Sequence, residues 1–424
     1  MANEFISYAG QIIVDSIILY SADKKKNLDI SLLFSELDFF EDIYANSIVG
    51  TVSMVEGFNL TSEFPIIGEE LIVFTAHTPT FNEKISKRFA VIGISDKIVE
   101  SSKKQIYTIN FITLEALVDL NVKVYRAYTG TPSDSASQIF KTYFPTATLQ
   151  VEDSVNAIKI VSPTISPFTL INLFASKAID KSAYGAPNFL FYEDNKTYNF
   201  VSLSSLFKQK PKTSLKWSLS QMRDRNDQGV SVRDINEEYA NVKEITIDNL
   251  FNTLDKNMSA ALGHKVIEVD LIRKTIGKKT YSYIENFKDT PHLNPNPTNS
   301  SNLMYSHDSF VETCISHPGS HNMFHQDRDA IILAKRPALL AQNEFIKLEL
   351  IIHGRTNIKV GDVINFEMGK FQSGDAEGQF KDEQTDNYYS GNYLIAAARH
   401  RFTLNRHEMI IEVIKESFNK GIKF

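Results

Sequence analysis

The stretch IKVGDVINF, Ile358–Phe366, decides how the rest of this chain of 424 residues is interpreted. A glycine and an acidic residue introduce a run of alternating apolar side chains, which is typical of a tight turn that leads into a half-buried β-strand. Glycine suits such a turn because it adopts positive φ at little cost. The stretch lacks the lysine and the following helix of a phosphate-binding loop, so it indicates a turn in a β-structure.

A second copy of this pattern lies closer to the N-terminus. IIGEELIVF, Ile66–Phe74, has the same order of glycine, acidic residue and alternating apolar positions. Residues 88–98 then match residues 392–402, and each copy continues through a polar turn into another apolar strand. The sequence therefore predicts two copies of one β-barrel in a single chain. The predicted structural turns of the barrels are Gly68, Glu69, Gly361 and Asp362.

Composition limits the possible classes of function. A net charge of -6 argues against a dedicated duplex-DNA-binding protein, which normally carries a basic face. Cys314 is the only cysteine, which excludes an intrachain disulfide and a cysteine-based zinc site. The sequence has no apolar run long enough to span a bilayer and no pattern of a signal peptide at its start, so no stable membrane insertion is expected.

Changes in hydrophobic periodicity divide the chain into four predicted parts. Residues 1–120 form a first tube-like β-barrel, and residues 121–206 form a small α+β domain of two helices and a hairpin. Residues 207–250 and 335–424 form a second, split barrel, into which an irregular domain, residues 251–334, is inserted. The predicted fold class is mainly β with α+β parts, with two tube-like antiparallel β-barrels in tandem.

Two helix starts in the α+β part have a recognisable chemistry. Thr131 and Ser166 are each followed directly by proline. A hydroxyl at the capping position followed by proline at the first helical position is a common beginning of a helix. Apolar residues at helical spacing follow in both cases, and we interpret these residues as core packing.

One cluster of histidines could carry chemistry. His317, His321 and His325 are spaced by four residues and would align on one side of a helix, where zinc could bind with Asp327 or His307 as a further ligand. A proline and a glycine directly after the first histidine, and the absence of a neighbouring cysteine, favour a polar surface loop instead. A metal site here is the minor hypothesis.

The remaining polar features do not predict catalysis. Residues 373–387 are rich in carboxylates but lack the register of a calcium-binding loop, so they indicate a long hairpin loop that could instead line a channel. None of the common nucleotide-binding, hydrolase or metalloprotease motifs is present in the sequence. We therefore expect a protein that is not an enzyme and needs no cofactor.

The order of motifs resembles a known family. NIKVGDVINF, GNYLIAAARHRF and MIIEVIK, in this order, resemble the baseplate hub proteins of contractile-tailed phages, whose fold is shared by late-control tail proteins and the hub part of type VI secretion spikes. SPFTLINLFASKAI followed by NFLFYEDNKTYNFVSL is similar to that family's small helix-and-hairpin domain. The resemblance covers most of the chain except for residues 251–334.

The resemblance implies a structural role in the virion, after assembly in the host cytoplasm. A homotrimer with two barrels per subunit would form a pseudo-sixfold ring that joins the sixfold tail tube to a threefold central spike. The implied partners are the spike protein, the tail tube or tube-initiator protein, the surrounding baseplate wedge proteins, and DNA that passes transiently through the lumen. The alternatives are a tail-associated cell-wall hydrolase and a receptor- or carbohydrate-binding tail module.

Overall fold

The structure is a computed structural model, and it describes a chain that is mainly β. The described residues are 7–57, 60, 64–79, 81, 83–101, 104–181, 185–217, 235–250, 252–271, 273–298, 310–316, 328–343, 345–369 and 385–421. Among them, no helix combines the length and the apolar character needed to cross a membrane.

The N-terminal part forms strands because its apolar residues alternate. In the strand Leu71–His77, every second side chain is buried, as expected when one face of a sheet covers a core. A short helix, α1, Leu114–Asn121, ends this part. The strands are β1, Ile13–Tyr20, β2, Asn27–Asp29, β3, Phe34–Asp42, β4, Val49–Glu56, β5, Leu71–His77, β6, Lys84–Ser101, and β7, Lys104–Thr113.

The next part contains two capped helices and a hairpin, together with three short strands and a short third helix. Both helix starts are confirmed: the Thr131 hydroxyl accepts a hydrogen bond from the Asp134 N–H at 3.1 Å, and Ser166 caps the second helix in the same way. The elements are β8, Ala127–Gly130, α2, Pro132–Tyr143, β9, Leu149–Val151, β10, Ile158–Val161, α3, Pro167–Lys177, β11, Phe189–Glu193, β12, Tyr198–Ser202, and α4, Leu203–Phe207.

The segment predicted to be an irregular insertion contains a sheet, so that expectation is wrong. The strand Gly263–Asp270 is flanked by the strands Thr275–Ser282 and Val311–Ser316 in one sheet, and a helix that continues through Pro337 packs on the first two of these strands. The elements from residue 213 to 342 are β13, Thr213–Trp217, α5, Ile235–Ala240, β14, Val242–Leu250, α6, Thr253–Met258, β15, Gly263–Asp270, β16, Thr275–Ser282, α7, Tyr283–Asn286, a 3-10 turn, Phe287–Asp289, β17, Asn296–Pro297, β18, Val311–Ser316, and α8, Arg328–Gln342.

The C-terminal part returns to long strands with alternating burial. These are β19, Ile346–His353, β20, Val363–Met368, β21, Gly391–Phe402, β22, His407–Lys415, and β23, Ser417–Phe418. Most of them join one 13-stranded sheet whose main path runs β14-β19-β22-β21-β3-β4-β7-β6-β5-β1-β2, with β20 pairing both β21 and β13. The main path ends at β14 and β2, and a single parallel bridge between Lys216 and Asn241 links β13 to the start of β14. The strand ladders of the described residues form no closed barrel, so the two tandem barrels that the sequence predicted are not confirmed.

The two ends of the chain repeat one five-stranded unit. The order β5-β6-β7-β4-β3 in the N-terminal part matches β20-β21-β22-β19-β14 in the C-terminal part, with every pair antiparallel in both. Register irregularities recur at equivalent places: between Val91 and Gly93 and between Ile395 and Ala397, and again near the starts of β3 and β14. Shared bulges are a stronger sign of a common unit than shared strand order.

Each unit has its own apolar core, and the α+β part has a third. The N-terminal core is rich in phenylalanine and includes Phe39, Phe74, Phe89 and Phe111. The C-terminal core is mostly aliphatic, and the third core lies between α2, α3 and the hairpin β11–β12. The strand that flanks each unit differs, because β1 pairs antiparallel with β5 whereas β13 pairs parallel with β20.

Candidate functional site: the junction between the two units

The two units meet where β21 changes its partner. The first residues of β21, Gly391–Leu394, pair with β20 of the same unit, and residues 397–402 pair with β3 of the other unit. The register places Arg399 opposite Phe40 and Phe402 opposite Leu37. A single sheet therefore runs through both units, and their relative orientation is set by backbone hydrogen bonds.

The inner face of this junction is aromatic and contains a buried polar chain. The Phe39 ring lies 4.5 Å from the His400 ring and 5.6 Å from the Phe402 ring, centre to centre. His400 Nε2 lies 3.2 Å from Glu41 Oε1, and His400 Nδ1 lies 3.1 Å from His407 Nε2. All three polar residues are buried. Burial, with the neighbouring His400 as a second cause, holds the pKa of His407 well below its usual range, so His407 is neutral.

The outer face of the junction is held by ion pairs. Arg399 Nη2 lies 2.5 Å from Asp38 Oδ2, and Arg401 Nε lies 3.2 Å from Glu36 Oε1. Both arginines belong to β21 and both carboxylates to β3, so each pair connects the two units. Asp38 is almost fully buried, which strengthens its interaction with the guanidinium relative to a pair in water.

The tip of the hairpin β11–β12 connects the α+β part to both units. Lys87 Nζ and Thr113 Oγ1, both from the N-terminal unit, donate hydrogen bonds to the two oxygens of Glu193, each at 2.7 Å. The next residue, Asp194, is paired with Lys359 of the C-terminal unit. Two adjacent carboxylates thus each bind a lysine from a different unit.

The two carboxylates differ in their protonation chemistry. Burial raises the pKa of Glu193, and its bonds to Lys87 and Thr113 offset this only in part. Burial also acts to raise the pKa of Asp194, but Lys359 and the backbone N–H groups of Thr197 and Lys196 together outweigh it, so the net pKa is lowered.

Of the turn residues singled out in the sequence, Gly361 and Asp362 lie beside this hairpin, whereas Gly68 lies near Ile92 of β6. Gly68 and Gly361 adopt φ of +94° and +83°. The Asp362 carboxylate accepts hydrogen bonds from the Lys359 N–H at 3.0 Å and from Lys212 Nζ at 3.1 Å, and burial nevertheless raises its pKa. A Cβ on Gly361 would lie 2.3 Å from the Tyr192 hydroxyl of β11, so this turn packs directly on the hairpin.

Strand pairing makes Glu70, rather than Glu69, the counterpart of Asp362. The Val91 N–H donates to the Glu70 carbonyl at 2.9 Å, as the Ile395 N–H donates to the Asp362 carbonyl at 3.0 Å. The buried Glu70 side chain accepts hydrogen bonds from the backbone N–H groups of residues 67, 68 and 69, whereas Glu69 is exposed. Sequence reasoning missed Glu70 because two glutamates are adjacent and only burial distinguishes them.

The three histidines of the hypothesised metal site, His317, His321 and His325, lie outside the described residues. So does most of the acidic segment 373–387, of which only residues 385–387 are described. Within the described ranges, no group of three histidine, cysteine, aspartate or glutamate side chains is placed to hold a metal ion. Cys314 lies on β18, half-buried.

Other polar groups at the junction were also missed. Glu41, His400 and His407 occupy positions in strands where alternation predicts an apolar side chain, and this departure from the pattern was an available signal. Glu193 and Asp194 follow the apolar run FLFY at a hairpin tip, where charged residues are usually solvated. Chemically, these groups orient rigid parts of the molecule relative to one another.

Similarity to known proteins is at the level of the fold. The tail protein from Neisseria meningitidis MC58 has a TM-score of 0.53 at 10% identity, with 95% of this chain and 96% of that chain covered. The 43 kDa tail protein of prophage MuSo2 from Shewanella oneidensis has a TM-score of 0.53 at 12% identity, with 95% of this chain and 99% of that chain covered. No family model and no curated protein matches the sequence. The chain therefore has the fold of these two tail proteins, which confirms the resemblance at the level of the fold.

Proposed function

We propose that this chain is a structural subunit of a phage tail, the central hub of its baseplate, and not an enzyme. The observation that carries the proposal is the duplicated five-stranded unit, whose two copies are joined edge to edge by β3 and β21. The tail-protein fold supports the same conclusion.

Duplication has a consequence for symmetry. Three copies of a chain with two equivalent units provide six similar units around a threefold axis. Such a ring can continue a sixfold tube on one side and hold a threefold spike on the other. In this proposal the homotrimer is the symmetry adaptor between them, and its lumen is part of the channel through which DNA passes.

Such a ring requires the two units of each chain to keep a fixed orientation. The hairpin tip supports this requirement, because Glu193 binds the N-terminal unit and Asp194 binds the C-terminal unit. The buried chain of Glu41, His400 and His407 adds a second connection across the same junction. Buried charge pairs specify geometry through the cost of leaving either partner unpaired.

The remaining assignments belong to the same proposal. Residues 1–120 and the split segment 207–250 with 335–424 are the two tube-like barrel domains, residues 121–206 are the α+β domain, and residues 251–334 are the insertion. The partners are the central spike protein, the tail tube or tube-initiator protein and the baseplate wedge proteins, and the protein resides in the virion after assembly in the host cytoplasm.

Oligomeric state tests the proposal directly. We expect the purified protein to have a solution mass three times that of one chain, since obligate interfaces of this kind bury large areas. End-on electron-microscopy averages without imposed symmetry should show six similar lobes around a channel. A mass of one chain that persists at high concentration, also with the tail tube protein added, would contradict the proposal.

A further inference from the structure

The tip of the β15–β16 hairpin is basic and carries exposed aliphatic side chains. Residues 271–279, LIRKTIGKK, contain four cations and no carboxylate, although the whole chain has a net charge of -6. Leu271 and Ile276 are 62% and 70% exposed, and the neighbouring Lys274 and Lys278 are exposed as well. The tip therefore presents positive charge and apolar surface together at one end of the insertion.

The outer face of the three-stranded sheet continues this apolar surface. Val269 pairs with Ile276 on one side and with Ile315 on the other, so the three side chains form one row across the sheet. The helix α8 covers the opposite face, where Val266 packs on its alanines, and alternation therefore turns Val269 away from α8. Ile315 is 53% exposed. A continuous exposed apolar row of this kind indicates a surface that binds a partner.

Positive and negative charges lie on different faces of this sheet. The pairing register and the alternation of side chains place Glu268, Asp270 and Glu312 on the face that α8 covers. The same register places Lys265 and Lys278 on the outer face, which has no acidic residue among the described residues of β15, β16 and β18. The partner of the outer face is therefore expected to be both negatively charged and apolar.

We propose that the hairpin tip and the outer face of this sheet dock on the surface of an anionic lipid bilayer. The cations of the tip face the phosphate groups of the lipids. Leu271 and Ile276 enter the boundary between the headgroups and the acyl chains, where apolar burial adds to the attraction between charges. The contact is peripheral. It does not rest on the proposed function or on the number of copies, although several copies on one surface bind more tightly than one.

A lipid surface fits these residues better than a nucleic acid does. The phosphates of a nucleic acid would attract the same cations, but they would not explain the exposed aliphatic side chains of Ile276 and Ile315. Residues 273–276 of the turn are all exposed, so the tip extends into the solvent. A fluid bilayer adapts to such a turn without a matching pocket.

Co-sedimentation of the full chain with lipid vesicles tests the proposal. We expect roughly tenfold stronger binding to phosphatidylcholine vesicles that contain about one third phosphatidylglycerol than to vesicles of phosphatidylcholine alone. High salt should weaken the binding, because it screens the attraction between exposed charges. Equal binding to both kinds of vesicle, or binding to neither, would overturn the proposal. Displacement of the anionic vesicles by a small amount of duplex DNA would also overturn it, in favour of a nucleic-acid site.

Charge-removing substitutions locate the contact. Lys274→Gln combined with Lys278→Gln should lower binding to the anionic vesicles by roughly tenfold. The matched control combines Lys208→Gln with Lys210→Gln, two exposed lysines in a stretch that also has four cations, residues 208–216, but no exposed large apolar side chain. The control should change binding by less than about twofold. Equal losses in the two double variants would show general attraction between charges and would contradict docking through the hairpin.

An uncharged substitution tests the apolar part of the contact. Ile276→Gln should lower binding to the anionic vesicles by roughly fivefold, because it removes an aliphatic side chain from the acyl boundary. The control is Leu254→Gln on α6, which precedes β15, whereas the tip follows it; Leu254 is 69% exposed, and its replacement should leave binding unchanged. Circular dichroism shows whether each variant is folded.

The outcomes separate this inference from the proposed function. Unchanged binding of a folded Ile276→Gln variant would contradict insertion of the tip. A trimeric mass without binding to anionic vesicles would overturn the membrane contact and leave the hub intact, whereas a monomer that binds these vesicles through the hairpin would do the reverse.

Discussion

Removal of Lys87, the lysine of β6 that contacts the hairpin tip, tests how the N-terminal unit is held to the hairpin. Lys87→Met removes the cation that faces Glu193, and the two side chains are only 10% and 1% exposed. Loss of one partner of a buried ion pair typically costs about 3–5 kcal/mol, because the other charge stays buried and unpaired. Glu193 keeps its hydrogen bonds from Thr113 and from the Ile48 N–H, so we expect a loss near the lower end, about 3 kcal/mol.

The size of this loss should depend on pH. Glu193 already has a raised pKa in the folded protein, and removal of Lys87 raises it further. Between the unfolded pKa and the higher folded pKa, the folded state binds more protons than the unfolded chain, so its stability falls as pH rises through that window. The cost of Lys87→Met should therefore be smaller at pH 5, where Glu193 can bind a proton, than at pH 8.

Urea unfolding at a fixed protein concentration measures the effect, and the fixed concentration is needed because assembly changes apparent stability. The matched control is Lys181→Met, whose pair with Asp153 is exposed at both side chains, and which should cost about 0.5 kcal/mol or less. The double variant with Glu193→Gln should recover part of the loss. An equal loss in Lys87→Met and Lys181→Met, or a loss that is the same at pH 5 and pH 8, would refute the reasoning.

Two further predictions concern the turn at Gly361 and the half-buried His353. Gly361→Ala should destabilise the protein by roughly 2 kcal/mol or more in urea unfolding, because the φ of +83° disfavours a side chain and the new Cβ would overlap the Tyr192 hydroxyl. The control Gly277→Ala, whose Cβ would make only ordinary contacts, should cost clearly less stability. Equal losses of stability in the two variants would contradict this explanation. Burial lowers the pKa of His353 to about 4, so the unfolded chain binds more protons between pH 6.5 and 4 and stability should fall as pH falls through that range. His353→Gln should flatten this slope in melting temperatures measured from pH 7.5 to 4.5, and an unchanged slope would show that other groups cause it.

Much of the local structure could be predicted from the residues themselves. Alternating apolar residues located most of the long strands, and a hydroxyl followed by proline located the starts of α2 and α3, because these signals act over one or two turns of chain. The duplication was also visible, since each copy must bury the same face of the same strands. The sheet of the insertion was missed because β16, TIGKKTYS, is too polar to show alternation.

The connection between the two units became visible only in the folded chain. Asp38 and Arg399 are separated by 361 positions, and no local pattern selects that partner from the many strand edges with the same alternation. The change of partner along β21, the one-residue offset that makes Glu70 the counterpart of Asp362, and the burial of Glu193 and Asp194 all depend on which distant strands meet. The strands, the helix starts and the repeat could thus be predicted from the residues, because short-range propensity and burial of one face suffice for them. Long-range pairing determines which strand edges join, because every strand offers the same backbone hydrogen bonds. Only the side chains packed around an edge distinguish it from the other edges.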